Sequence, residues 1–206
     1  MYDYFQEGVT LEYTHYNKKG KVEMVNTQKV TGISNVADTL VATITTKMVN
    51  EKGKEMYQGG FPMKCHAGTI YMDMRSMAPP QQASGQSDDM KVQIRSTDQV
   101  YPADMKVGQS LPDAEMEMTM SLGALQIMST QYFIKNRKVE AEESVTTAAG
   151  TYKCLKISYD FEYKLMGTRT NHTVQWYAGS VGMVKSISYD KKGEEESRME
   201  LSKFVK

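Results

Sequence analysis

Leu155-Lys156-Ile157-Ser158-Tyr159-Asp160-Phe161-Glu162-Tyr163-Lys164-Leu165 alternates apolar and polar side chains without a break. Successive side chains on a strand point to opposite faces, so this run predicts a long strand with one buried and one wet face. The same period appears at Leu11, Tyr13 and His15, with Glu12 and Thr14 opposite, and at Ile70, Met72 and Met74, with Tyr71 and Asp73 opposite. Thr39 to Met48 is rich in Val, Ile and Thr, which suit a pleated surface better than a helix. Residues 172–178, 181–189 and 195–204 read as three further strands.

Turn chemistry separates these runs. Lys18-Lys19-Gly20, Glu51-Lys52-Gly53, Ala148-Ala149-Gly150, Gly179-Ser180-Val181-Gly182 and Lys191-Lys192-Gly193 each set glycine between extended segments, as short hairpins require. Strands joined this way, with no helical period between them, predict an all-β antiparallel meander. It would form one or two curved half-barrel sheets with little helix. Ala78-Pro79-Pro80 and the Gln/Ser/Gly stretch after it interrupt the pattern. The chain is then a single all-β domain over 1–206, or two similar halves (1–80 and 100–206) joined by a loop at 81–99. Thr14 to Glu23 and Thr130 to Glu140 are faintly alike, which is the basis for two halves. Any helix would be short and fall within 81–104.

Composition excludes several classes. The 206 residues carry 25 basic and 25 acidic side chains, for a formal net charge of zero, which argues against nucleic-acid binding. No apolar run is long enough to span a bilayer as a helix. Met1-Tyr2-Asp3-Tyr4-Phe5 has neither a basic nor an apolar signal region, so the chain is either cytoplasmic or begins at a mature domain. Cys65 and Cys154 are the two cysteines, and their spacing fits one long-loop disulfide as well as two buried thiols.

No catalytic pattern emerges. His15, His66 and His172 fit no nucleophile-elbow or zinc-protease motif, and Cys65 and His66, adjacent on a strand, would face opposite ways. The carboxylates fall in solvated runs such as Glu194-Glu195-Glu196. Gly59-Gly60 precedes Phe61-Pro62 rather than the Lys-Ser/Thr of a phosphate loop. With no such motif, the expectation is a protein without a cofactor and not an enzyme.

The 17 methionines stand out against 5 phenylalanines and 1 tryptophan. Met116, Met118 and Met120 alternate on one strand face, and Met72, Met74 and Met77 form a second group. Methionine is flexible and polarisable, and it lines surfaces that accept varied apolar shapes. These six residues are the candidate surface for a lipid or hydrophobic peptide, with Tyr13, Tyr159, Tyr163 and Tyr177 supplying polar tips. The alternative is a soft-metal site, since thioethers favour Cu(I). Ordinary core packing would produce the same period.

Ala149-Gly150-Thr151-Tyr152-Lys153-Cys154-Leu155-Lys156-Ile157 resembles a strand of the TapB-like family of exported bacterial proteins. Trp176-Tyr177-Ala178-Gly179-Ser180-Val181-Gly182-Met183-Val184-Lys185 is similar to that family's hairpin, with Gly179-Ser180 where Pro-Gly is usual. Tyr101-Pro102 with Val107-Gly108-Gln109-Ser110-Leu111-Pro112-Asp113 resembles its central segment. The resemblance implies a lipoprotein-carrier-like β half-barrel and an exported, periplasmic or envelope-associated protein, made with a signal peptide or lipid anchor. It implies no catalytic residue. The reading is a binding or structural module of the envelope, its oligomeric state left open.

Overall fold

In the computed structural model, residues 5–77, 90–165 and 167–206 are described. Thirteen strands form one antiparallel sheet: β1 (Thr10–Asn17), β2 (Val22–Val36), β3 (Thr39–Asn50), β4 (Glu55–His66), β5 (Thr69–Asp73), β6 (Met90–Ser96), β7 (Asp98–Tyr101), β8 (Ala114–Leu122), β9 (Leu125–Thr147), β10 (Gly150–Lys164), β11 (Thr168–Ala178), β12 (Gly182–Tyr189) and β13 (Glu195–Val205). Their order is β6-β8-β9-β10-β11-β12-β13-β1-β2-β3-β4-β5-β7. The first and last strands pair at the centre, Thr10 opposite Val205, and neighbours on either side are mostly joined by hairpins. The expected all-β meander is what forms, as a single sheet.

The two sheet edges, β6 and β7, are consecutive in the chain and separated by Thr97 alone. Thr97 N–H donates to the Glu115 carbonyl at 2.9 Å, its hydroxyl accepts from Glu115 N–H at 2.9 Å, and its carbonyl accepts from Met74 N–H at 3.3 Å. One extended segment thus pairs with β8 through its first half and with β5 through its second, and the sheet curls into a nearly closed barrel.

Three hairpins share one turn. Asn17, Asn50 and Asp190 each accept two backbone N–H bonds through a side-chain oxygen. Gly20, Gly53 and Gly193 follow three residues later with φ of 70°, 75° and 79°, a region that glycine enters without steric cost. Those N–H bonds also hold the Asp190 carboxyl below the usual carboxylate range.

Two expectations are corrected. The joining loop and short helix expected within 81–104 give way, over 90–101, to β6 and β7; residues 81–89 lie outside the described part. The face shared by Ile70, Met72 and Met74 does not continue, because β5 ends at Asp73 and Met74 opens a 3₁₀ turn, Met74–Met77. Asp73 caps that turn: its carboxylate accepts from Arg75 N–H at 2.8 Å and Ser96 hydroxyl at 2.7 Å and pairs with the Arg75 guanidinium. Burial opposes these bonds, but they win and keep the carboxyl below its ordinary pKa. Both cysteines are free thiols. Cys154 is buried, which pushes its thiol up to about 11.

The main core, from Phe5, Val9 and Leu11 to Val184 and Leu201, lies on the inner face of the curled sheet. A second, smaller cluster joins Met74, Ala114, Met116, Ile134 and Tyr159. Arg137, 2% exposed, lies beside the seam. Its Nη1 donates to the Val100 carbonyl at 3.0 Å and the Pro112 carbonyl at 2.9 Å, and its guanidinium lies 4.9 Å from the Tyr101 ring centre.

Candidate functional site: a cavity inside the curled sheet

Side chains on the inner face line a partly open cavity of about 300 Å³. Leu11 on β1, Val30 on β2, Ile44 on β3, Phe61 on β4, Ile70 on β5 and Val181 before β12 supply aliphatic and aromatic wall. Phe61 reaches it because Gly60 lets β4 lie close to β3: a Cβ there would stand 2.7 Å from the Ile44 carbonyl oxygen. Four methionines join the wall, Met63 and Met72 as cross-strand partners on β4 and β5, with Met183 and Met199 from β12 and β13. All four are half-buried, as side chains lining a void should be.

The polar groups on the wall are mostly paired. Tyr101 hydroxyl donates to Gln99 Oε1 at 2.9 Å and lies 3.3 Å from Gln175 Oε1, and its ring stacks on Tyr177 with centroids 4.6 Å apart. Thr46 hydroxyl donates to Asn26 Oδ1 at 2.6 Å, and Tyr13 hydroxyl to the Met183 carbonyl at 3.2 Å. Burial raises the phenol pKa of Tyr13 and Tyr159; for Tyr159, neighbouring Tyr101 adds to the rise while Arg137 and bonds with Ser186 and Thr173 oppose it. Both phenols therefore stay neutral hydrogen-bonding groups. His15 is the exception among them: its Nε2 is sealed from solvent and has no hydrogen-bond partner. No carboxylate, lysine or arginine lines the cavity among the described residues.

The six methionines singled out from the sequence do not share one surface. Met72 lines the cavity. Met74 and Met116 meet in the second cluster, 0% and 2% exposed, where Gln99 Nε2 donates to the Met74 sulfur at 3.4 Å. Met118 is buried further along β8, and Met120 is half-buried opposite Met128. The Met77 side chain lies outside the described part. Of the four tyrosines, Tyr13, Tyr159 and Tyr177 line the cavity and Tyr163 does not. Sequence reasoning passed over Met183, Met199, Tyr101, Gln99 and Gln175, which meet only through long-range pairing. His15 carried a usable signal, since it continues the apolar face of Leu11 and Tyr13.

The other histidines sit apart from the cavity. His66 is exposed, its Nδ1 3.1 Å from the Asp38 carbonyl, and His172 pairs with Asp160 at 3.1 Å. Among the described residues no three of His, Cys, Asp and Glu gather as a metal-binding group, and no helix is long and apolar enough to cross a membrane. A second groove along the seam, lined by Arg95, Glu115, Glu117 and Phe133 among others, is charged and lies by β6 and β8.

Comparison with known proteins adds a family and a fold. Residues 6–201 match the model of the DUF3108-like family. A candidate exported protein with YmcC-like fold from Bacteroides fragilis superposes with a TM-score of 0.78 at 21% identity, covering 98% of this chain and 97% of that one. A candidate lipoprotein from Parabacteroides distasonis gives a TM-score of 0.78 at 21% identity over 100% of both chains. No curated protein matches.

Proposed function

The chain belongs to the DUF3108-like family, and we propose that it is a non-enzymatic protein of the cell envelope that binds a single apolar chain inside its curled sheet. One observation carries the reading: a partly open pocket of about 300 Å³ on the inner face of the sheet, whose wall is mainly aliphatic, aromatic and methionine. That volume stands at the small end of ligand pockets, which run roughly 300–1,000 Å³. It is about ten liquid-water volumes, room for one acyl chain or one large hydrophobic side chain of a peptide. Half-buried methionines from β4, β5, β12 and β13 let the wall adjust to its guest. The envelope location is supported by the exported and lipoprotein character given to the two solved structures. The narrower TapB-like resemblance, carried by Tyr101-Pro102, Val107 to Asp113, Ala149 to Ile157 and Trp176 to Lys185, points the same way.

The copper reading draws less support, because its thioethers divide between the cavity wall and a packed cluster. Native mass spectrometry of protein purified without detergent separates the two. An apolar adduct lost on denaturation, and absent from a cavity-filling Met199→Trp variant that melts cooperatively, is the expected result. A bare mass together with no uptake of an alkyl probe overturns the reading. A bound Cu(I) ion, lost when Met116, Met118 and Met120 become leucine, replaces it with the metal reading.

A further inference from the structure

Thr46 holds only one end of the Asn26 amide. Asn26 sits on β2 opposite Tyr13 and Met48, lines the cavity and is 6% exposed. The Thr46 hydroxyl stands 2.6 Å from Oδ1, a separation that suits O–H···O and is too short for N–H···O. The oxygen therefore faces Thr46, and Nδ2, with its two N–H donors, is left over. No described residue accepts from Nδ2, yet it is not among the side-chain atoms that are both sealed from solvent and unpartnered. Unlike His15 Nε2, it stays open to the oxygen of a guest. Gln28, two residues on and on the same face of β2, lines the cavity as well, half-buried and uncharged.

Charge sets a second condition. Among the described residues no Lys, Arg, Asp or Glu lines the cavity. Burial lowers the His15 pKa from its ordinary value, so that ring is neutral at physiological pH. A carboxylate carried as deep as Asn26 would lose its water with no counter-charge to balance it, at far greater cost than a neutral carbonyl. Bare hydrocarbon would displace water from Nδ2 and offer no acceptor in return. We infer, building on the apolar-chain reading, that the guest is an uncharged acyl chain, an ester or an amide, whose carbonyl oxygen accepts from Asn26 Nδ2. The chain would lie against Leu11, Val30 and Ile44, and Thr46 is a positioning residue that turns the amide toward the guest.

The test measures displacement of the dye N-phenyl-1-naphthylamine by methyl octanoate, N-methyloctanamide and octanoate at pH 8. The wild type is expected to bind the ester or the amide at least about tenfold more tightly than the carboxylate, and the tighter of the two identifies the natural linkage. Asn26→Leu should weaken that binding about five- to tenfold while its affinity for the dye, which has no carbonyl, is unchanged. Thr46→Val should weaken it less. The infrared carbonyl stretch of the bound ester or amide should shift to lower frequency in the wild type and lose that shift in Asn26→Leu. Should Asn26→Leu fail to melt cooperatively, the double variant with Thr46→Val, which leaves no orphan hydroxyl, carries the comparison. Octanoate binding as tightly as the neutral probes, or neutral probes indifferent to Asn26→Leu, overturns the ligand class and, with the dye still bound, leaves the cavity reading standing. Failure of the wild type to bind the dye or any probe overturns the cavity reading itself.

Discussion

The inner face of this sheet is hollow in one region and solid in another, and methionine serves both. Around β1–β5 and β11–β13, Met63, Met72, Met183 and Met199 are half-buried on the wall of the cavity. Against β8 and β9, Met74 and Met116 are sealed among Ala114, Ile134 and Tyr159. Tyr159 stands at the border, lining the one and packing in the other. A period-two run of methionines therefore identifies a buried face and does not say whether that face is filled. The difference comes from what converges opposite it: the 3₁₀ turn brings Met74 over β8, while the strands around β1 leave room at the centre.

The largest effect is expected where the seam meets the cavity wall. Arg137→Ala removes both donors to Val100 and Pro112, the cation over Tyr101, and the packing of a buried stem. We expect a loss of about 4 kcal/mol in urea unfolding, from the two unpaired carbonyls and the lost side-chain contacts. A loss below about 1 kcal/mol would mean the seam holds without Arg137.

The comparison itself is tested by a pair of identical truncations. Met116→Ala opens a void in a filled cluster and should cost about 3 kcal/mol. Met72→Ala enlarges a space already present and should cost about 1 kcal/mol or less, since fewer packed contacts are lost. Equal losses at the two sites, measured by the same unfolding titration, would erase the distinction between hollow and solid.

Legibility followed the range of the interactions. The strand at 150–164 was readable because alternation survives two register shifts against β9. The hairpins were readable because each Lys-Gly pair closes a turn on its own Asn or Asp. β6 was missed although Met90, Val92 and Ile94 alternate with Lys91, Gln93 and Arg95, because the adjoining polar and proline-rich run outweighed so short a pattern. The cavity was partly visible in Tyr13, Tyr159, Tyr177 and Met72. Asn26, Gln99 and Gln175 resemble surface residues by type, and only pairing between distant strands buries them. The two thiols could not be placed by spacing; Cys65 on β4 and Cys154 on β10 lie far apart in strand order.

The smallest effect is the most specific to the hollow region. His15→Leu replaces an unpartnered buried nitrogen with carbon, and the empty protein should gain about 1 kcal/mol. Its pH dependence follows from the direction of the shift. Burial holds the folded-state pKa below 6.5, so the unfolded chain takes up the proton first as pH falls. The wild type keeps the contribution of its neutral ring above 6.5 and loses it as pH drops through that value toward the folded pKa. His15→Leu has no such loss, so its advantage in melting temperature should widen between about pH 7.5 and about pH 5.5. A constant advantage over that range would mean that the ring titrates as it does in the unfolded chain, and that this wall of the cavity is wet rather than dry.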